Sequence, residues 1–432
     1  MISADQKIGS FVKDFLEKNK KKELFVPGQT LIPPSGKLIG FNEIRNMVEA
    51  SLDGWLTTGR FNLEFQNKLS KFLKVKHLLT VNSGSSANLI AFSSLTSHLH
   101  KERSIKPGDE IISVAAGFPT TVNPIFQNGA VPVFVDIKLP TYNINEELVE
   151  TAITNKTKAI MLAHTLGNPF NLNKIIELCK KYNLWLIEDN CDALGSKFNN
   201  QFTGTFGDIA TLSFYPAHHI TMGEGGALFT NNLRIKRIAE SFRDWGRDCY
   251  CETGKENTCG KRFDWKLGNL PHGYDHKYIY SHAGYNMKIT DMQAACGLGQ
   301  LDQLDNFIKK RKSNLKFLKS QLKELEEEFL LPEAEKNSDP SWFGFPITIK
   351  KNSKIKRRDL INKLTEKKIG TRLVFAGNLT KQPAYLNKKY KISGELTTTD
   401  LVMENTFWVG IQPALGEEEL SYVAKSMKEI LG

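Results

Sequence analysis

The sequence predicts an α/β fold, with a mostly parallel sheet covered by helices on both faces and a small C-terminal α+β domain. Three observations carry that expectation. Short apolar runs recur between His77 and Thr230 and alternate with amphipathic stretches, the pattern of strands buried on both faces. The 432 residues suffice for two or three domains and a large core. A composition of 40% hydrophobic and 24% charged residues is ordinary for a globular protein.

Taken in order, residues 1–40 read as a peripheral N-terminal helix and arm. Ala4–Lys20 has helical apolar spacing through Ile8, Phe11, Val12, Phe15 and Leu16, and Val26–Gly40 is an extended stretch rich in Pro and Gly. A large domain is expected over 41–290. It holds the amphipathic helix Asn62–Leu73 and strands at His77–Val81, Glu110–Val114, Ala130–Ile137, Lys158–His164, Leu184–Glu188, Ile209–Tyr215 and Ala227–Thr230. Helices are expected at Leu172–Tyr182 and Leu233–Trp245. The segment 244–285 breaks this rhythm with three cysteines and many glycines and aromatics, and reads as an insertion that binds something. Residues 291–432 are expected to form a linking helix and a small domain, since Thr290–Glu328 keeps a long helical period.

The net charge of +11 suits an anionic substrate or an acidic partner. The lysine clusters at Lys18–Lys22, Lys309–Lys312 and Lys354–Arg358 are scattered and read as solvated helix faces, and no zinc-finger, RRM or helix-turn-helix signature accompanies them, so nucleic acid is not an expected partner. There is no signal-peptide pattern and no apolar run long enough to span a bilayer, so a cytoplasmic protein without a membrane is expected. Disulfides are correspondingly not expected.

Chemistry concentrates around Ser213-Phe214-Tyr215-Pro216-Ala217-His218-His219-Ile220-Thr221-Met222-Gly223-Glu224-Gly225-Gly226, which reads as a strand end, a turn, a polar site and a Gly-rich tight turn. Ser83-Gly84-Ser85-Ser86 follows a strand and opens a helix, a context that offers amides and hydroxyls to a phosphate. Leu184–Asp189 is an apolar strand ending in acid. Of six cysteines, Cys179 and Cys296 lie in apolar helical settings and look structural. The other four are spaced Cys191, 57 residues, Cys249, one residue, Cys251, seven residues, Cys259. Four soft thiolates fit an iron–sulfur cluster or zinc, though the spacing is that of neither a zinc ribbon nor a plant-type ferredoxin.

These motifs, together with Gly117-Phe118-Pro119-Thr120-Thr121, Gly284-Tyr285-Asn286 and Gly370–Leu379, resemble the DegT/DnrJ/EryC1 sugar aminotransferases along most of the chain. The resemblance implies a fold-type-I enzyme that binds pyridoxal 5′-phosphate (PLP). It assigns the cofactor phosphate to Gly84, Ser85 and Ser213, with Asn286 reaching it from the neighbouring subunit of a homodimer. Asp189 would pair with the pyridine nitrogen and Phe118 would stack on the ring. Two positions depart from the aminotransferase pattern: His218 stands where a lysine holds the cofactor covalently, and Asp192 where glutamine is usual. Histidine cannot form that Schiff base but can move protons. The site therefore looks suited to pyridoxamine phosphate (PMP) held without a covalent bond.

The cysteine spacing is similar to that of the PMP-dependent hexose 3-dehydrases carrying a [2Fe–2S] cluster, which implies Cys191, Cys249, Cys251 and Cys259 as its ligands. The implied activity is C3 deoxygenation of a CDP-4-keto-6-deoxyhexose in dideoxysugar and O-antigen biosynthesis. His218 would be the catalytic base, with Tyr215 and Asp192 shaping the proton path and Arg372 contacting the nucleotide-sugar. An NAD(P)H-dependent flavin and iron–sulfur reductase is the implied partner. A glutamate-regenerated dehydratase, a TDP-sugar dehydrase and a PMP-binding protein without catalysis stand as alternatives.

Overall fold

A computed structural model describes residues 4–19, 24–251 and 254–432. Lys20 to Lys22 of the first lysine cluster lie outside the described residues. An eight-stranded sheet runs in the order 77–81, 226–230, 209–213, 185–189, 157–163, 110–114, 131–135 and 391–392. The expected strands all form: two keep their bounds, two shift by one residue, the strands expected at Ala130–Ile137 and Ile209–Tyr215 are trimmed, and the one at Ala227–Thr230 gains Gly226. The pairings from 209–213 through to 391–392 are parallel. Gly226–Thr230 runs against both neighbours, so the sheet is mixed at that end.

Both faces are covered. Helices Gly84–Leu95, Pro119–Gln127 and Leu233–Arg243 pack on one side, around Ile90, Phe92, Val122, Ile125 and Ile238. The other side shares a core with a second, four-stranded antiparallel sheet ordered 329–330, 345–349, 406–409, 371–373, so that Ile112, Val133 and Ile160 belong to one cluster with Phe345, Phe407 and Val409. Among the described residues no helix is long and apolar enough to cross a membrane.

The long period over 290–328 resolves into two helices, Asp291–Leu301 and Leu304–Leu322, broken at Asp302–Gln303. In the second helix Ile308, Arg311, Asn314, Leu318 and Leu322 form the buried stripe at helical spacing. The expectation that Lys309–Lys312 is simply a solvated face therefore fails at Arg311, whose side chain is among the largest fully buried ones. Its neighbours Lys309, Lys310 and Lys312 are not buried. Within 244–285 the only regular element among the described residues is the short 3-10 turn His276–Tyr278.

Candidate active site

A cleft of about 1070 Å³ opens beyond the carboxyl ends of the strands 77–81, 185–189 and 209–213, the place where the loops of an open α/β sheet diverge and leave room for ligands. Strand register aligns three backbones here, since Gly226 pairs with Val81 on one side and Ser213 on the other. The chain then passes through Ser83 into helix Gly84–Leu95. Ser83 caps that helix, its Oγ accepting the Ser86 N–H at 3.1 Å. The preceding amides, of Gly84 and Ser85, stand at a helix start where no intrahelical acceptor is available. A Cβ on Gly84 would lie 2.4 Å from the Cβ of Ser213, and one on Gly226 would lie 2.4 Å from the Ser83 carbonyl oxygen. Both glycines are thus needed for Ser213 to close against the turn, and the result is a cradle of amides and hydroxyls suited to a phosphate.

Asp189 ends the strand Trp185–Asp189 and is 5% exposed. Its Oδ2 accepts from Thr121 Oγ1 at 2.6 Å and from Asn88 Nδ2 at 2.8 Å. Its Oδ1 accepts from the Cys191 N–H at 3.2 Å and lies 3.5 Å from Thr211 Oγ1. Thr211 Oγ1 donates at 2.7 Å to Asn88 Oδ1, which orients the amide. A carboxylate fixed in this way can face the ring nitrogen of a bound pyridine.

His218 sits in the turn after Ser213, its N–H bonded to the Tyr215 carbonyl at 2.9 Å. The imidazole leans on Phe343, with ring centroids 5.2 Å apart, and Nδ1 lies 3.5 Å from Asp192 Oδ1. The two side chains are only 15% and 13% exposed. Burial pushes His218 down to about 4, opposed by the charge of Asp189 and assisted by Arg311. Burial, with the neighbouring charge of Asp189, pushes Asp192 up to about 8, opposed by Arg311. The imidazole is therefore neutral at physiological pH, the form that can take a proton.

Arg311 was not singled out from the sequence. It donates through Nη1 to the carbonyls of Phe343 (2.9 Å) and Trp342 (3.3 Å), and through Nη2 to that of His218 (3.5 Å). Burial lowers its pKa to about 10 while the Asp192 charge opposes the shift. One buried guanidinium thereby ties the histidine turn to the segment entering the second sheet. His219 reinforces the tie through Nε2 and the Ser341 carbonyl, 2.8 Å apart.

The remaining expected residues divide. Phe118 and Tyr215 line the cleft with about half their surface exposed, Phe118 meeting Phe375 edge-on at 6.1 Å. Arg372 also lines it, its Nη1 bonded to the Thr371 carbonyl. Asn286 does not line the cleft of its own chain. It is exposed and bridged to Asp244. Cys191 lines the cleft, with Sγ 3.9 Å from Thr211 Oγ1. Cys249, Cys251 and Cys259 instead share a separate recess that Cys191 does not line. There Thr258 Oγ1 donates to Cys251 Sγ at 3.1 Å. Among the described residues, no three His, Cys, Asp or Glu side chains stand in a metal-holding arrangement. Cys179 and Cys296 are buried, their thiols pushed up by burial to about 12 and about 11.

The residues missed from the sequence are thus Asn88, Thr121, Thr211 and Arg311. Thr121 falls inside the Gly117–Thr121 motif, and Asn88 lies two residues beyond the Ser83–Ser86 turn. Thr211 and Arg311 carry no local signal. The cleft as a whole suits a phosphorylated pyridine, with a phosphate cradle at one end, a hydrogen-bonded carboxylate at depth and an aromatic wall.

The model of the DegT/DnrJ/EryC1/StrS aminotransferase family matches residues 39–428. The chain is 59% identical to the lipopolysaccharide biosynthesis protein RfbH of Salmonella typhimurium, over 99% of this chain and 98% of that one. It is 49% identical to the dTDP-4-dehydro-2,6-dideoxy-D-glucose 3-dehydratase of Saccharopolyspora spinosa, over 99% of this chain and 92% of that one. Among solved structures, GDP-4-keto-6-deoxymannose-3-dehydratase with a trapped PLP-glutamate geminal diamine superposes with a TM-score of 0.82 at 28% identity, covering 92% of this chain and 100% of that one.

Proposed function

We propose that this chain, which belongs to the DegT/DnrJ/EryC1/StrS aminotransferase family, is a PMP-dependent nucleotide-sugar 3-dehydrase that deoxygenates a CDP-4-keto-6-deoxyhexose at C3. The observation that carries the reading is the neutral imidazole of His218 beside Asp192, in one cleft with the Ser83–Ser85 turn and Asp189. An amine at that position would tether the cofactor, whereas an imidazole leaves the cofactor amine free to engage a sugar ketone. The relatives named above include 3-dehydratases of other nucleotide-sugars, which supports the reaction class.

When bound, PMP supplies an amine for the C4 ketone and an electron sink that labilises the C3 hydroxyl. The geometry of the cleft supports the following part for the chain. The amides of Gly84 and Ser85, with Ser213, hold the phosphate. Asp189, fixed by Thr121, Asn88 and Thr211, keeps the ring nitrogen protonated. Phe118 covers the ring. His218 takes the proton at the cofactor's C4′ carbon, and Asp192 and Tyr215 flank its path. Arg372 meets the anionic nucleotide-sugar at the mouth. Loss of the C3 hydroxyl leaves an unsaturated sugar, and forming the dideoxy product needs two electrons from outside. We assign these to an NAD(P)H-dependent flavin and iron–sulfur reductase; a [2Fe–2S] cluster, were one bound in the cytoplasmic homodimer, would be held by Cys191, Cys249, Cys251 and Cys259 and would supply one-electron transfer.

Borohydride treatment of the PLP-loaded protein tests the noncovalent cofactor: no pyridoxyl group should remain on the chain, and a pyridoxyl-lysine found by mass spectrometry would reject the reading. Supplying CDP-, TDP- and GDP-4-keto-6-deoxyhexoses with reductase and NADH then tests the base, and the CDP-sugar should turn over fastest. Turnover driven by glutamate alone would favour the dehydratase that regenerates its PMP by transamination.

A further inference from the structure

The four cysteines do not converge within one chain. Cys249, Cys251 and Cys259 face one recess, and Cys191 faces the cofactor cleft. Among the described residues, none from 244–285 lines that cleft. The segment is anchored elsewhere in its own subunit. The Trp245 N–H bonds to the Tyr285 carbonyl, Asp248 pairs with His276, and Gly254 lies against Trp55. A [2Fe–2S] centre takes four protein ligands. One recess therefore gathers three thiols that do not stand in a metal-holding arrangement within one chain, while the cleft offers a single thiol next to Asp189.

The outer surface of the segment carries a second indication. Trp245, Tyr250, Phe263, Tyr274, Tyr278 and Tyr280 are 39% to 54% exposed. Aromatic residues are enriched at protein interfaces, so exposed rings in that number on one segment suit contact with another protein. A twofold dimer places the same surface on both subunits, so a segment that reaches the partner's cleft is matched by the partner's segment reaching back. Two equivalent sites then close at once.

Building on the cluster reading above, we propose that each cluster forms between two copies of this chain, with Cys249, Cys251 and Cys259 from one copy and Cys191 from the other. The arrangement places the centre at the wall of the cleft where Asp189 holds the cofactor, and it makes the homodimer the smallest unit able to hold iron. A second copy is the occupant of the aromatic face because each copy carries an unmatched Cys191 thiol at its own cleft.

Complementation between subunits tests this without an activity assay. Cys191→Ser and Cys251→Ser chains carrying different tags are co-expressed, and the heterodimer is isolated anaerobically by two affinity steps. Iron, sulfide and the visible spectrum are measured on it, on each variant homodimer and on the wild type. The wild type should hold two clusters per dimer, each variant homodimer none, and the heterodimer one, because one of its two sites keeps all four thiols. A heterodimer without iron overturns the shared site, since a site within one chain is broken in both partners. A cluster retained in the Cys191→Ser homodimer also overturns it. A wild type devoid of iron and sulfide rejects the cluster itself, a result distinct from the other two. Should the serine variants misfold, dibromobimane on cluster-free wild type gives a second measurement. A thiol bridge from Cys191 to Cys249, Cys251 or Cys259 should then appear as a covalent dimer on a denaturing gel, and the same bridge within one chain overturns the proposal.

Discussion

In the cleft, Asp189 accepts hydrogen bonds from two helices and a strand-end turn, and Thr211 on the neighbouring strand holds the Asn88 amide that donates to it. Segment 244–285, by contrast, is kept in place by partly exposed ion pairs such as Arg262–Asp275, and by close contacts such as that of Gly246 with the His282 carbonyl. The first region gathers its phosphate turn, buried carboxylate and histidine within one chain. The second exposes aromatic rings and gathers three thiols. The contrast separates two demands on the enzyme. Proton transfer at a fixed atom needs a preorganised pocket, whereas electron delivery needs a surface that meets other proteins.

The largest expected effect breaks the two regions apart. Cys251→Ala should abolish net dideoxy-sugar formation with reductase and NADH present, while PMP binding continues. Reversible loss and return of the C3 hydroxyl, followed by oxygen exchange in labelled water, should continue as well. Product at the wild-type rate would make the cysteine recess structural and favour a glutamate-driven dehydratase. Cys251 is the residue to change because Cys191 contacts Asp189 directly.

His218→Asn should do the converse. Proton abstraction at C4′ should fall by roughly 10²–10⁴-fold, the usual loss for a general base, with cluster content unchanged. Exchange at the wild-type rate would assign the base elsewhere. Thr121→Val should act more weakly. It removes one hydrogen bond to a buried carboxylate, an interaction worth about 1.5–3 kcal/mol, so PMP affinity by titration should drop by roughly 10–150-fold. Thr121→Ser should restore it, and equal affinity in both variants would show that Asn88 and the backbone suffice.

Much of the fold was legible because strands buried on both faces leave continuous apolar runs, as at Ile209–Ser213 and Trp185–Asp189. The positions of Ser83–Ser85, Asp189 and His218 in one cleft could be expected from motifs at strand ends. The hydrogen bonds around Asp189 could not, because Asn88, Thr121 and Thr211 come from three parts of the chain and have no period or spacing of their own. Arg311 was hidden by company: it stands among lysines in a run that reads as solvent-facing, and only the helical phase shared with Ile308 and Leu318 turns it inward. The split of the cysteines was equally invisible, since spacing counts residues and says nothing of which cavity each thiol faces.

The smallest expected effect is a flat line. Burial, opposed by the charge of Asp189 and assisted by Arg311, pushes His218 down to about 4. A base works in its unprotonated form, so an imidazole at its ordinary value near 6.5 would lose activity as pH falls through 6.5. With the value depressed, the neutral form persists to about pH 5, and C4′ hydrogen exchange in the PMP-loaded protein should not decline between pH 7 and about pH 5. The one inflection expected nearby belongs to Asp192, whose carboxyl loses its proton at about 8. Asp192→Asn should remove that inflection and leave the acid side unchanged. An acid limb centred near 6.5 would mean that the loaded cleft admits water to the imidazole, and the contrast between a closed cleft and an open insertion would then fail at its central residue.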